Sequence, residues 1–486
     1  MNPVKQGGKW GMTYPYTLSF RNDVSVHRKG GDIILTNGRI SALRLKEPSP
    51  GLSAIVDSLS DKGGTEDALC NILINEDGAS NLGKFYYHLS KLMEKDFLCR
   101  TVKHEGQCIS TLEPISKYFQ FKEQHIDSNV KYRISRFAYC HDENGRMVLE
   151  SPLGHCRLVL HDWRGAAYIN MLSQPCTVRD INIAFPDVNK EVVRQVFVFL
   201  FNTHAICEVD EDGNVAEEHN NALLQWEFHD LLLHARSRAG RHSNPVGGTY
   251  RFMKKIDPLP AVKTKMNGET VELYKPDIEK LKKDDVPFTF VVEKRCSVRE
   301  NGEDPLTAEQ IGEFLYRSAR IRKIMDAVPE KGLYSQVSNR PYAGGGAIYE
   351  LELYLTINRC KGLEKGMYHY DPKEHTLTRI SDYNDKLEKL LKDASRASAR
   401  DYLPDTLITY TARFQRFMWK YQSMAYAVIL KDAGLLMQNM YLVATAMNLA
   451  PCAIGNGDSD LFAEASGLDY YVEGSVGEFT LESKKK

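Results

Sequence analysis

The chain has 486 residues, 42% hydrophobic and 26% charged, a balance that excludes a wholly disordered protein. Lys and Arg number 63 against 64 Asp and Glu, so the basic excess of a general nucleic-acid binder is missing. No apolar run approaches the ~20 residues that span a bilayer, and the polar stretch Met1–Trp10 lacks the apolar segment of a secretion signal.

At ~100–200 residues per domain, the length predicts about three domains. The ten cysteines include no C-x-x-C pair and are too sparse for a disulfide framework. They read as reduced thiols of a cytoplasmic protein. The one metal-like pattern is Cys140-His141 with His155-Cys156. Adjacent residues on a strand point to opposite faces, so no metal site is expected.

Tyr16 to Leu45 alternates apolar and polar residues, with breaks at Gly30-Gly31 and Asn37-Gly38, as short antiparallel strands do. Helices follow near Leu52–Leu59, after Thr65 as N-cap, and over Asn81–Glu94; Phe97–Val102 is a strand. The same order returns. A strand at Leu158–His161 precedes a short helix at Ala166–Leu172. A helix capped by Thr177 with Asp180 comes next, then a helix over Lys190–Phe201 and a strand at Ala205–Val209. Between the two sets, Arg136 to Leu160 reads as a hairpin turning at Glu143-Asn144-Gly145. Helix, turn, helix, helix, strand is the plan of a winged helix-turn-helix. Two tandem modules are predicted, 1–125 and 126–235. Residues 1–120 hold 15 Lys and Arg against 13 Asp and Glu, too even a balance for phosphate-driven DNA binding. An extended peptide added to a wing strand edge is the better expectation. The plainer alternative, packing against the rest of the chain, is nearly as strong for the second module.

Residues 236–287 read as a linker or irregular arm, with Arg236, Arg238 and Arg241 in a Ser/Gly-rich stretch. The remainder, 288–486, reads as an α+β domain. Phe288–Val292 is predicted as a strand and Leu306–Ile321 as a helix with Thr307 and Gln310 in a capping box. Ile348–Asn358 is predicted as a buried strand and Gly366–Arg379 as an antiparallel pair. Tyr421–Leu449 is predicted as a long helix that Pro451 stops.

Four stretches carry chemistry. Arg295, Ser297 and Arg299 place two guanidiniums and a hydroxyl within five residues, a cradle for phosphate; a solvated Arg pair is the plainer alternative. Gly344, Gly345, Gly346 and Ala347 let a backbone approach a flat ligand, or serve a loop needing positive φ. They are not a dinucleotide fingerprint. Lys420 and Tyr421 precede the long helix; a shifted pKa would let either act as acid or base, against an ordinary interfacial pair. Ala453, Ile454 and Gly455 follow Pro451, and Cys452 among them has no base beside it.

In this order the motifs resemble the flavin-dependent nitroreductase superfamily. Gly345–Tyr349 with Glu350 and Glu352, Gly366–Pro372 with His375, and Lys420-Tyr421 are similar to its thiazoline/oxazoline dehydrogenase branch. The likeness runs from about Phe288 to Gly477. Two N-terminal winged, peptide-clamp-like modules match the cyanobactin-type thiazoline oxidases of that branch. The resemblance implies FMN at the interface of a homodimer. It implies phosphate contacts from Arg295, Ser297 and Arg299, ring contacts from Gly344 to Ala347, and backbone contacts from Ala453 to Gly455, with Gln438 as a further candidate. It implies catalysis by Lys420 and Tyr421, one of which takes the ring proton. The implied substrate is a heterocyclised precursor peptide whose thiazolines, and in some cases oxazolines, become azoles, with no nucleic-acid or membrane partner. The glycines here replace the Ser and Asn usual in the nitroreductase turn, so ring contacts are expected from backbone. Three competing readings differ in class. They are an NAD(P)H-dependent nitro or quinone reductase, a non-catalytic leader-binding scaffold, and a winged-helix regulator disfavoured by charge.

Overall fold

The computed structural model describes residues 16–37 and 41–485; Gly38 and Met1–Trp10, mentioned above, lie outside them. The chain divides into two units, Met1–Asn244 and Pro245–Lys486.

In the first unit, helices Pro50–Ser60, Glu66–Asp77 and Leu82–Glu94 follow a three-stranded meander, Val24–Lys29, Asp32–Asn37 and Ser41–Leu45. Ser49 and Thr65 cap the first two helices by accepting the N–H groups of Leu52 and Ala68. Helices Trp163–Met171, Val178–Ala184 and Lys190–Asn202 repeat the arrangement, and Thr177 and Asp180 close a capping box. The two helical sets share one sheet. Gln107–Pro114, the wing of the first, pairs antiparallel with Cys156–Leu160 of the second, within a six-stranded order. The hairpin Tyr139–Glu143 with Arg146–Glu150 forms its far edge.

The second unit is built on a seven-stranded antiparallel sheet. Its order is Glu269–Glu272, Thr376–Asp382, Gly366–Asp371, Leu351–Ile357, Thr406–Arg413, Glu473–Ser483, Leu449–Ile454. Strand period decides the layers. Leu351, Leu353, Leu355 and Ile357 face a core with Ile311, Phe314 and Leu315 of helix Ala308–Ala319 and Ile429, Leu436 and Met440 of helix Ala425–Ala446. Tyr354 faces the opposite core with Leu387 and Leu391 of helix Asp385–Ala397 and Phe462 of helix Ser459–Ser466.

Four sequence expectations are corrected. Phe288–Val292 is not a strand but part of helix Phe288–Lys294, whose one buried residue is Val291; β-forming composition is overridden because no strand among the described residues pairs with the segment. The stretch 236–287 holds more regular structure than the linker or irregular arm expected. Phe228–Arg236 is helical, Arg236 is paired with Glu150, and Glu269–Glu272 adds an edge strand to the large sheet. The long helix starts at Ala425, so Tyr421 lies outside it, in a two-residue ladder with Gly247–Gly248. It ends before Asn448, which takes φ +54°, and not at Pro451. Pro451 sits in the edge strand Leu449–Ile454, where a missing N–H is tolerated.

Candidate active site

Two clusters form on the long helix of the second unit. The first surrounds the glycine turn. Gly345–Ala347 makes a single tight turn entering the central strand, with φ +59° at Gly346 and φ +58° at Ala347. A left-handed Ala costs about 1–2 kcal/mol, and backbone strain of this kind gathers at functional sites. The turn is held from behind. Gly345 N–H donates to Asp432 Oδ2 at 2.8 Å, and Arg416 donates to the carbonyls of Ile348, Leu259 and Gln336 at 2.7–3.0 Å.

Lys420 and Tyr421 converge on this turn. A Cβ at Gly346 would lie 2.2 Å from Tyr421 Oη and 2.9 Å from Lys420 Nζ, so only glycine lets both side chains reach the backbone there. Gly345 is equally constrained, since its Cβ would lie 2.7 Å from Val428. Lys420 Nζ sits between two rings, 5.1 Å from the centroid of Tyr421 and 6.0 Å from that of Tyr250. Tyr421 stacks on Phe417 at 4.7 Å. Burial without a partner carboxylate lowers the Lys420 pKa. Burial raises that of Tyr421, helped by Tyr250, Asp432 and Glu350. The two shifts separate the pair: Lys420 moves toward a neutral amine, Tyr421 stays a protonated donor.

The second cluster surrounds Arg295–Arg299. Ser297 Oγ and Tyr441 Oη are hydrogen-bonded at 2.7 Å, and Ala453 N–H donates to the same phenol oxygen at 2.7 Å. The Arg295 guanidinium lies 5.3 Å from the Tyr441 ring centroid. Val298 N–H donates to Pro451 O at 2.8 Å, tying the loop to the edge strand. Arg400, buried and paired with Glu482, donates to Val298 O at 3.0 Å and Arg299 O at 3.3 Å, while Tyr402 Oη donates to Arg299 O at 2.9 Å. With its carbonyls so held, the loop leaves Arg295 half-buried and Arg299 exposed, neither in an ion pair among the described residues.

The structure thus joins Arg295, Ser297 and Ala453 in one place, and Gly344 to Ala347 with Lys420 and Tyr421 in another. Ile454 is buried in its strand, Gly455 is exposed beyond it, and Gln438 is exposed on the helix with no hydrogen bond to either cluster. Sequence reasoning missed Tyr441, Tyr250, Asp432, Arg400 and Tyr402. Only Asp432 carried a signal, a lone carboxylate inside an apolar helical stripe.

Comparison with known proteins follows the same order along the chain. Residues 12–123 match the ThcOx helix-turn-helix domain, 132–243 match Cyanobactin oxidase ThcOx, and 292–477 match the nitroreductase family. The N-terminal part of the chain is thus similar to the cyanobactin oxidases and the C-terminal part to the nitroreductase family. These matches support an oxidoreductase of nitroreductase type with a role in azoline oxidation during maturation of ribosomally made peptides. Members of the nitroreductase family typically bind flavin. A nitroreductase-type protein of Methanocaldococcus jannaschii is 28% identical over 191 residues, 39% of this chain and 85% of the relative. The microcin B17-processing protein McbC of Escherichia coli is 31% identical over 117 residues, 23% of this chain and 42% of McbC. The trifolitoxin-processing protein TfxB of Rhizobium leguminosarum is 27% identical over 141 residues, 28% of this chain and 38% of TfxB. The chain therefore spans less than half the length of the two peptide-processing relatives. Among the described residues, no helix is long and apolar enough to cross a membrane.

Proposed function

We propose that this oxidase uses FMN, works as a homodimer, and converts thiazolines of a heterocyclised precursor peptide to thiazoles. The observation that carries the reading is the convergence of Lys420 Nζ and Tyr421 Oη on the Gly346 backbone. A flat ring laid on that turn meets bare backbone on one side and an amine and a phenol beside it. The residues fit FMN. Arg295 and Arg299, without carboxylate partners among the described residues, and Ser297 suit one phosphate, and the turn would be blocked by any Cβ.

When bound, FMN supplies a two-electron acceptor for hydride. The chain supplies the rest. Lys420 takes, at Nζ, the acidic proton from the ring carbon next to the peptide carbonyl. Its lowered pKa makes the neutral amine available, and the flanking rings keep it in place. Tyr421 Oη keeps its proton and orients the azoline by donating a hydrogen bond. The half-buried setting of both groups limits water.

Peptide engagement by the first unit is supported by a cavity of about 290 Å³ beside the edge strand Ser41–Leu45, lined by Leu45, Lys46, Leu52, Lys84, Phe85 and His88. An extended leader segment can pair with that edge and place alternate side chains in the cavity. Self-association is supported by Tyr426, Leu430 and Leu435, exposed along the long helix, and Tyr470, Tyr471 and Val472, exposed nearby in sequence to the strand Glu473–Ser483.

The test is the visible spectrum of the purified chain, release and identification of its cofactor, and incubation with a thiazoline-containing peptide under air. Released FMN near one per chain and loss of two hydrogens from the peptide support the reading. A colourless protein that cannot be loaded removes it. Rapid NAD(P)H consumption with quinones and no peptide oxidation favours the reductase instead.

A further inference from the structure

Asp432 is the one charged residue among the buried positions of the long helix. Its Oδ2 accepts the N–H of Gly345 at 2.8 Å, inside the turn on which Lys420 and Tyr421 converge. Beside it lies Glu350, three residues after that turn and one before the central strand. Glu350 is fully buried, and neither of its oxygens receives a hydrogen bond from a donor group of another described residue. The group facing it is the carboxyl of Asp432. Two carboxyls in contact inside a protein cannot both be ionised, so the pair holds one proton. With that proton on Glu350, its O–H donates to Asp432, and Asp432 remains an acceptor for Gly345.

The other groups facing the pair do not replace the proton. Arg340 is within electrostatic reach of Glu350, yet its hydrogen bond goes to Leu351 O, with Nε and Nη2 unpartnered. Arg416 is also within electrostatic reach of Glu350, yet its hydrogen bonds go to the carbonyls of Ile348, Leu259 and Gln336, and the neighbouring phenols of Tyr342 and Tyr421 stay neutral because burial raises their pKa. Neither sequence motifs nor family matching assigns Glu350 or Asp432 a role in holding the turn.

We propose that Asp432 and Glu350 form a one-proton carboxyl pair that holds the Gly345–Ala347 turn in the shape needed beneath the flavin ring and beside Lys420. Both are positioning residues. The inference rests on the reading that flavin lies on this turn. Its consequence is a pH limit. Burial beside Asp432 raises the Glu350 pKa to about 8. Ionisation above that pH sets two charges against each other, and the turn loses its anchor.

The test uses the full chain, wild type and the variants Glu350→Gln, Asp432→Asn and Asp432→Ala. FMN dissociation constants are measured by flavin fluorescence at pH 6.5 and pH 9.5. Hydrogen exchange of peptides covering residue 345 is measured without flavin, each corrected for intrinsic exchange at its pH. Wild type should lose affinity about tenfold at the higher pH, the size of one anchoring hydrogen bond. Glu350→Gln keeps a neutral donor and should abolish that step. Asp432→Asn keeps an acceptor for Gly345 and a donor for Glu350, and should abolish it too. Asp432→Ala should bind FMN weakly at both pH values with the turn amides unprotected; if it fails to fold, the other two variants decide. A Glu350→Gln profile that tracks the wild type overturns the pair. So does a turn equally protected in Asp432→Ala. A chain that binds no FMN but whose exchange responds as expected sinks the flavin reading and leaves the pair standing.

Discussion

Ser297 and Tyr441, 144 positions apart, meet through a 2.7 Å bond between their hydroxyls, and the same Tyr441 oxygen accepts the N–H of Ala453. One phenol therefore links the Arg295–Arg299 loop, the long helix and the edge strand. Tyr441→Phe removes this link while keeping the ring that Arg295 rests on. Two polar groups lose a partner at about 1 kcal/mol each. FMN affinity should fall roughly tenfold. The measurement is flavin titration, with thermal melting showing the fold retained.

Gly346 cannot carry a side chain. With φ +59° and a Cβ that would lie 2.2 Å from Tyr421 Oη, Gly346→Ala must displace the Tyr421 hydroxyl. The backbone strain alone is about 1 kcal/mol. Activity should drop at least 100-fold, because a misplaced catalytic group costs about that much, while FMN released on heating stays near stoichiometric. Full turnover in this variant would show that Tyr421 does not work at the turn.

The pH dependence follows from the burial of Lys420. Its pKa lies below that of free lysine, so the neutral amine gains as pH rises through that lowered value. In a Glu350→Gln background, which lacks the carboxyl-pair limit near pH 8, kcat/KM should climb with pH on a single base limb and reach its plateau before free lysine would titrate. Lys420→Arg, which stays charged, should lose the reaction at every pH yet keep FMN. Tyr250→Leu removes one of the two rings flanking Nζ and should displace that limb, whereas Tyr250→Phe, which keeps the ring, should not. The readout is a pH–rate profile for each variant.

Arg400 separates stability from binding. It is buried with Glu482 and also holds the carbonyls of Val298 and Arg299. Arg400→Met alone strands a buried carboxylate, at a cost of about 3–5 kcal/mol. Adding Glu482→Leu should recover most of that in denaturant melts. It should not recover FMN affinity, because Val298 O remains unheld and Arg299 O keeps only Tyr402. Recovery of both would mean that the Arg295–Arg299 loop needs no support from Arg400.

Helices with local start signals were legible in the chain. Thr65, Thr177 and Thr307 cap the helices expected of them, because a cap is an exchange of hydrogen bonds within three or four residues. The doubled winged pattern was legible for the same reason. Phe288–Lys294 was not. Its composition favours a strand, and only the lack of a pairing strand among the described residues makes it helical. Glu269–Glu272 hid inside a charged arm, because an edge strand with one side in solvent needs little apolar sequence.

The candidate site divides along the same line. By itself the sequence determined the local chemistry: two arginines about a serine, a run of glycines, a Lys-Tyr pair, and the order that marks the family. Only the tertiary structure decided which of these groups face each other. Tyr441 reaches Ser297, Asp432 reaches Gly345, and Tyr250 reaches Lys420 across separations of 87 to 170 residues or comparable spans. Sequence patterns report periodicities of a few residues. Contacts across the large sheet depend on strand order and layer packing, which no local pattern encodes.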